Sequence, residues 1–447
     1  MRYVIKPPPS VKLVDLLKTM PDLFGMVLRD DVAPTIHHAN DAYVHWDKFR
    51  WYSLPEGVDA RAVWAYIKFR REFNLKNVPL VDKEGIPFSY WLPDSVLRIL
   101  SNIDRWSGDT IGTEHPGDLP PRERYVISSL MEEAIASSQL EGAATTRQIA
   151  KEMLLSGRKP RDHNEQMIFN NWVTIQHLRA NTKLALTPQS LCDIHTMITE
   201  DTLPDPVDSG RVRTNDDVVV MFRDTVVHTP PPAKILQQRL EAFCEFANDD
   251  SGHAWIHPVV KASILHFWLG YDHFFVDGNG RTARAVFYWY LLSRNYWLFE
   301  YLSISRNFLR APSQYARAYL YTETDERDLT YFIVYNLRVV QLAFQDLRQY
   351  LQRKQEELVI ANDLLKKYRD LNERQRDIIA HALRHPGSVY TIQSHKNVNN
   401  IAYDTARNDL LDLVQRGLMT NSLTGRTYNF FVSPKIMEQL HKQGSSI

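Results

Sequence analysis

From Arg122 to about Arg353, apolar residues return every three or four positions almost without a break. That spacing commits the middle of this 447-residue chain to packed helices. Val126, Leu130 and Ala134, with Ile127, Met131 and Ile135, make one such stripe, and Gly142 is placed to end the helix that carries it. The pattern changes only between Asp217 and His228. There Val218, Val219, Val220, Met221 and Phe222 face Thr225, Val226 and Val227 across Arg223-Asp224, a short hairpin stopped by Pro230-Pro231-Pro232. The expected fold class is mainly α, with that hairpin as a β flap.

A chain of this length exceeds one ordinary core, so two or three domains are expected. Residues 1–90 are rich in Trp and Tyr (Trp46, Trp51, Tyr52, Trp64, Tyr66) and end in turn-prone sequence at Asp82 to Pro87, which suggests a small accessory domain. Ser107 to Pro121 has the Gly/Pro content of a linker, and the main helical domain spans 91–353. A charged, helix-compatible stretch from Leu342 to Arg369 leads to a last domain at 371–435 that reads as a winged helix. Its parts are a helix at Glu373–Leu383, a turn at His385-Pro386-Gly387, a second helix at Ala402–Arg416 and a hairpin wing at Ser422–Phe431.

Charge argues against a polyanion-binding chain, since 53 basic residues balance 53 acidic ones. From residue 371 onward nine Lys/Arg meet six Asp/Glu, and the second helix carries Asp404, Asp409 and Asp412 beside Arg407 and Arg416. Phosphate neutralisation drives DNA binding, so this helix makes a poor DNA footprint. A protein-interaction or regulatory role is the better expectation. Cys192 and Cys244 are the only thiols, which fits a reducing compartment and offers no metal cluster. The amino terminus lacks a signal-peptide apolar stretch, and the most apolar runs, Ile264 to Val276 and Ala285 to Leu292, fall short of the roughly 20 residues a membrane span needs. A cytoplasmic protein with no membrane attachment is expected.

The chemistry is concentrated in His273-Phe274-Phe275-Val276-Asp277-Gly278-Asn279-Gly280-Arg281-Thr282-Ala283-Arg284. Gly278, Asn279 and Gly280 form a turn of little bulk that opens an apolar helix, where backbone N–H groups favour an anion. Arg281 and Arg284 share a face of the first turn, so both guanidinium groups can converge on adjacent phosphates. Two cations at a helix N-terminus oppose the macrodipole by roughly 0.3–1 kcal/mol each, and make sense if an anion sits there. Asp277 could hold Mg²⁺ between phosphate oxygens, and His273 could take a proton from an attacking hydroxyl. The bland alternative is a tight loop with a structural Asp and two surface arginines.

This string resembles the signature of the Fic (filamentation induced by cAMP) family, H-x-F-x-[D/E]-G-N-G-R-x-x-R, at every fixed position, and the resemblance extends from about residue 93 to 340. It implies an all-helical core that transfers AMP from ATP, with Mg²⁺, to hydroxyl side chains of proteins, self-modification included. By that resemblance His273 is the general base and Asp277 the Mg²⁺ ligand. Gly278, Asn279 and Gly280 form the nest for the α- and β-phosphates, Arg281 and Arg284 contact the β- and γ-phosphates, and Phe275 anchors the loop. Phe274 stands where proline is frequent, a variable position. Family members that act as kinases have lost the second glycine to lysine. Gly280 is intact here, which favours AMP transfer over γ-phosphoryl transfer.

Upstream, Ser137-Ser138-Gln139-Leu140-Glu141-Gly142 places Ser137 and Glu141 on one helix face. On local grounds a solvated Glu141 is the simpler reading. The string is also similar to the family's inhibitory pattern, [S/T]-x-x-x-E-[G/N], which implies that the helix at about 122–142 is inhibitory and that Glu141 pairs with Arg284 against the γ-phosphate. Relatives of this type can also reverse the reaction. The hairpin falls where the family carries its flap, so an extended protein substrate is expected to pair along Val218, Val219, Val220, Met221, Val226 and Val227. Ser209-Gly210-Arg211-Val212-Arg213 resembles the family's G-x-[Y/F]-R segment with Val212 departing from the aromatic, and its arginines read as structural or flap-supporting. His253, His257 and His266 lack the spacing that closes a zinc site, and helix packing explains them better. Competing expectations are de-AMPylation, another nucleotide or phosphocholine donor, and a non-enzymatic nucleotide-sensing transcription regulator. A homodimer through the N-terminal segment is a further possibility.

Overall fold

The computed structural model describes residues 4–9, 15, 18, 21–108, 122–183, 185–222, 225–249, 255–367, 371–384, 387–399, 401–424 and 427–434. The chain divides into two compact units, one of residues 1–111 and 121–345, the other of 112–120 and 346–447.

The first unit is mainly helical. It opens with α1 (Leu23–Val27), α2 (Ala33–Asp41), α3 (Trp46–Phe49) and α4 (Ala60–Glu72), followed by an antiparallel pair, β1 (Lys76–Val81) and β2 (Pro87–Tyr90). Next come α5 (Asp94–Gly108), α6 (Arg122–Leu140), α7 (Arg147–Ser156), α8 (His163–Ala180) and α9 (Pro188–Thr199). The flap pair β3 (Val220–Phe222) and β4 (Thr225–His228) precedes α10 (Leu236–Asn248), α11 (Pro258–Asp272), α12 (Asn279–Ser293), α13 (Ile304–Arg310) and α14 (Pro312–Thr324). The helix α15 (Thr330–Lys367) begins in this unit.

Local chemistry sets the helix ends near the site. At the start of α9 the Thr187 and Ser190 side chains cap each other's backbone N–H groups, with Pro188 at the first helical position. His257 caps α11 through Val259 N, followed by Pro258. The far end of α11 stops because His273 turns left-handed at φ 47°. Gly142 ends the turn after α6 at φ +97°, as its position in the sequence suggests. The α11 and α12 pair forms the centre, with Ile264, Leu265, Phe267, Val286, Phe287 and Leu291 fully buried. Leu130, Met131, Ala134 and Ile135 of α6 are buried as the stripe requires; the side chains of Val126 and Ile127 lie outside the described residues.

The aromatic N-terminal segment has its own cluster around Phe49, Trp46, Trp64 and Ile67. It nevertheless belongs to the same compact unit as the helical core. Buried polar contacts fasten it there. Arg71 donates to Tyr331 Oη at 2.7 Å and to the carbonyls of Ala39 and Val44, Lys68 meets Asp325 at 2.8 Å, and Arg239 reaches the Val81 carbonyl at 2.7 Å. Breaking one side of such buried pairs strands a charge, which costs about 3–5 kcal/mol.

The second unit contains α16 (Glu373–Arg384), β5 (Tyr390–Thr391), α17 (Ile392–Asn399), α18 (Tyr403–Gln415), β6 (Met419–Thr424) and β7 (Thr427–Val432), with an antiparallel sheet ordered β5-β7-β6. Its core gathers Leu371, Ile379, Leu410, Leu413, Met419 and Phe430. The expected helices are present as α16 and α18, and the arms of the expected hairpin as β6 and β7. The strand β5 and the helix α17 were not anticipated, because Thr391, Gln393, Ser394 and Asn397 give polar, turn-like sequence. Asp409 of α18 points inward and accepts from Asn372, Arg374 and His395. Its charge therefore belongs to the core of this unit. Residues 385, 386 and 109–121, read as turn and linker, lie outside the described residues.

Candidate functional site

The turn from His273 to Gly280 joins α11 to α12, and its shape is set from within. Asn279 closes it twice, accepting from Phe275 N at 3.0 Å and donating to Phe275 O at 2.7 Å. The side chain of Asn279 thus holds the loop shut, a role separate from the backbone nest expected at this position. Phe275 is fully buried. Gly278 has φ +79°, and a Cβ there would press on Thr199 and His195, so both backbone and space demand glycine.

His273 ends α11 with its ring Nδ1 2.6 Å from Gly270 O. A carbonyl only accepts, so Nδ1 carries the proton and Nε2 keeps its lone pair. Burial, opposed by the Gly270 carbonyl and aided by nearby His228, brings the His273 pKa down to about 4. The imidazole is therefore neutral through the physiological range, the state a general base requires. Its neighbour His228, at the end of β4, lies with its ring centroid 6.5 Å away. Both His228 nitrogens face acceptors, Glu323 at 2.7 Å and Tyr271 O at 2.7 Å, which calls for a doubly protonated ring. Burial works against that charge, but Glu323 and the Tyr271 carbonyl outweigh it and the pKa rises.

Arg281 and Arg284 are both 1% exposed. They point to different partners. Arg281 donates to Ile198 O at 3.1 Å and stands 3.8 Å from Asp277 Oδ2. Arg284 reaches back to α6, where Nε donates to Ser137 Oγ at 2.8 Å and Nη2 to Ser137 O at 2.9 Å and Glu141 Oε1 at 2.8 Å. Glu141 thus has a cationic partner. It also sits directly on the glycine turn, since a Cβ on Gly280 would collide with its carboxylate. The helix bearing it is fixed two turns earlier by buried Glu133, which accepts from Tyr288 Oη at 2.9 Å, Ser303 Oγ at 3.0 Å and Ser305 N at 3.0 Å.

Asp277 is exposed, with Oδ1 accepting from Gly278 N at 2.6 Å. Among the described residues no group of three or more His, Cys, Asp or Glu is arranged to hold a metal ion. A single open carboxylate does fit Mg²⁺, which keeps waters and substrate phosphates as most of its ligands. His257 caps α11 and meets Asp104, His266 bonds Tyr315 Oη at 2.7 Å, and His253 lies outside the described residues.

The flap is shorter on its first arm than the valine run suggests. Val218 and Val219 precede the strand, and the pairing is Val220 with His228, Met221 with Val226 and Phe222 with Thr225, with a register shift after Val220. A bulge of this kind uses an extra residue, which a count of apolar positions does not reveal. Met221 and Val226 are half exposed, at 50% each, and Val227 is partly buried. Arg223 and Asp224 lie outside the described residues.

Two further residues position the loop, Arg213 from the segment before the flap and His195, which carries no motif of its own. Arg213, 4% exposed, donates to the His273 carbonyl at 2.8 Å, the Asn215 carbonyl at 2.7 Å and the Pro231 carbonyl, tying the flap's two roots to the loop. That matches the flap-supporting role expected for this arginine. His195 of α9 stacks on Phe275, ring centroids 3.8 Å apart, accepts at Nδ1 from Gly210 N and donates from Nε2 to Asp277 O at 2.8 Å. Burial above all lowers its pKa to about 4. The unfolded chain takes up this proton near pH 6.5, whereas the folded chain resists until about 4. Stability is therefore full above pH 6.5 and falls towards pH 4, by about 1.4 kcal/mol per pH unit for this proton. Urea midpoints measured from pH 7 to 4 should show that decline, and His195→Asn should make it shallower; an identical slope would mean His195 does not titrate this way.

Residues 185–291 match the Fic/DOC family. Protein adenylyltransferase fic-1 of Caenorhabditis elegans is 28% identical over 167 residues, 37% of this chain and 31% of the relative. Protein adenylyltransferase Fic of Drosophila virilis is 27% identical over 177 residues, 39% of this chain and 34% of the relative. The matched stretch spans about a third of these relatives. A Fic family protein from Desulfovibrio desulfuricans G20 shares the fold, with a TM-score of 0.51 at 17% identity over 75% of this chain and 94% of that one.

Proposed function

Because this chain belongs to the Fic/DOC family, we propose that it is a protein adenylyltransferase that moves AMP from ATP to a hydroxyl side chain and is restrained by its own Glu141. The observation that carries the reading is the neutral His273, whose proton lies on Nδ1 and whose Nε2 is left as acceptor beside the closed glycine turn. In this role Nε2 takes the proton of the target hydroxyl as its oxygen attacks the α-phosphorus, and pyrophosphate leaves. Arg284 and Arg281 supply positive charge where charge builds on the phosphates. Mg²⁺, held by Asp277 and the nucleotide, would add charge neutralisation of the same kind.

The half-exposed edge of β3 and β4 suits an extended protein segment, held by main-chain pairing and by Met221 and Val226. The ring of His228 joins that flap to the end of α11 and the side chain of Arg213 joins it to the loop, so target and base are set in one frame. The test is incubation of the full chain with labelled ATP, CTP, GTP, UTP or CDP-choline and a protein extract, wild type beside Glu141→Gly. Label transferred from ATP alone supports the proposal. Transfer from another donor, or release of AMP from a previously modified protein without incorporation, replaces it with one of the other reactions open to this fold.

A further inference from the structure

A cavity opens on the other side of α14 from the loop. Gln314, Arg317, Ala318 and Tyr321, in the i, i+3, i+4, i+7 pattern of one helix face, line it, while Tyr315 and Glu323 of the same helix meet His266 and His228 near the loop. The space is about 420 Å³, within the range of small-molecule sites. Its remaining walls come from α2, α3 and the turn between them, and from α13 and α15.

The lining is chemically one-sided. Lys48, Arg317 and Arg338 contribute three cations, and no lining residue is Asp or Glu. The three are close enough to act on each other, for burial first and then the charges of Arg338 and Arg317 lower the Lys48 pKa. The nearest carboxylates, Asp47 and Asp41, stand outside the lining, offset part of the charge on Lys48 and Arg338, and have further partners. Asp47 accepts from Ile5 N and Tyr321 Oη, and Asp41 accepts from Ser95 N and pairs with Arg98. Around the cations stand Tyr43, Tyr52, Tyr321, Tyr331 and Tyr335, so flat apolar surface lies beside the positive charge. Four lining residues also keep a buried polar atom without a hydrogen-bond partner: His45 Nε2, Asn307 Nδ2, Arg317 Nε and Tyr335 Oη. A surplus of positive charge beside polar atoms without partners favours an anion.

We propose that this cavity binds a small molecule carrying a phosphate group on a flat ring, with the phosphate between Arg317, Arg338 and Lys48 and the ring against the tyrosines. Two guanidinium groups and an ammonium match a phosphate dianion, and the tyrosine walls account for a planar body. The probe is phenyl phosphate, titrated calorimetrically into the full chain beside phenol and inorganic phosphate. Phenyl phosphate should bind, with each half of the molecule at least about tenfold weaker alone. The Arg317→Ala/Arg338→Ala variant should weaken it by about tenfold or more. Gln314→Trp, at an exposed lining position, keeps all three cations and fills the mouth, so it should block binding without disturbing the fold. Phenyl phosphate that fails to bind, or binds both variants as it binds the wild type, would overturn the site. Phosphate binding as tightly as phenyl phosphate would overturn the part assigned to the ring.

Discussion

His273→Ala is expected to lower AMP incorporation by about a hundred- to ten-thousand-fold, the contribution of a positioned general base. The reason lies in the ring's fixed tautomer. Gly270 O holds the Nδ1 proton, so Nε2 is always the basic atom, and among the described residues no other imidazole is placed to replace it. His195 and His266 are spent on Asp277 O and Tyr315 Oη, and His228 faces acceptors on both sides. Alanine would also have to hold φ near +47°, where it lacks the local side-chain hydrogen bond that helps Asn. His273→Asn is therefore the companion variant, equally inactive but better tolerated. Initial rates with labelled ATP, beside thermal melting of each variant, make the measurement. Transfer at the wild-type rate by a folded variant would remove His273 from the chemistry. Wild-type activity should hold from pH 8 down to about 5 and fail as protonation at about 4 is approached.

Much of this site was visible before any coordinates because its chemistry is local in sequence. From His273 to Arg284 the loop, the helix start and both arginines lie within twelve residues, and glycine, aspartate and arginine at those spacings have few other uses. The helix face of Leu130, Met131 and Ala134 was legible for the same reason, through a period that burial enforces. What stayed hidden depends on contacts between distant segments. His195 meets Asp277 across 82 positions and Glu323 meets His228 across 95, and neither pair leaves a periodic trace. The attachment of the aromatic N-terminal segment rests on Arg71 with Tyr331, across 260 positions. Even within the motif, the closing of the loop by the Asn279 side chain was not legible, because sequence alone does not show which backbone groups an amide beside two glycines will meet.

Glu141→Gly should raise the rate of AMP incorporation by about ten- to a hundredfold. Two unit charges about 4 Å apart at an effective dielectric near 20 interact by about 4 kcal/mol. The Glu141 side chain is 27% exposed, so solvent screening reduces that figure, and roughly 1.4 kcal/mol per tenfold leaves a gain of one to two orders of magnitude. Position matters as well as charge, since this carboxylate lies against Gly280 and occupies one donor of Arg284. Loss of the side chain should not release the helix. Glu133 holds α6 to Tyr288 and Ser305, and Arg284 keeps both bonds to Ser137. The guanidinium therefore stays where it is and gains a free donor for phosphate. Glu141→Gln separates the two contributions, because it removes the charge and keeps the bulk. Equal gains in both variants would assign the restraint to charge, and a gain in Glu141→Gly alone would assign it to occupied space. If neither variant departs from the wild-type rate, Glu141 is an ordinary ion-pair partner and the chain is not restrained by it.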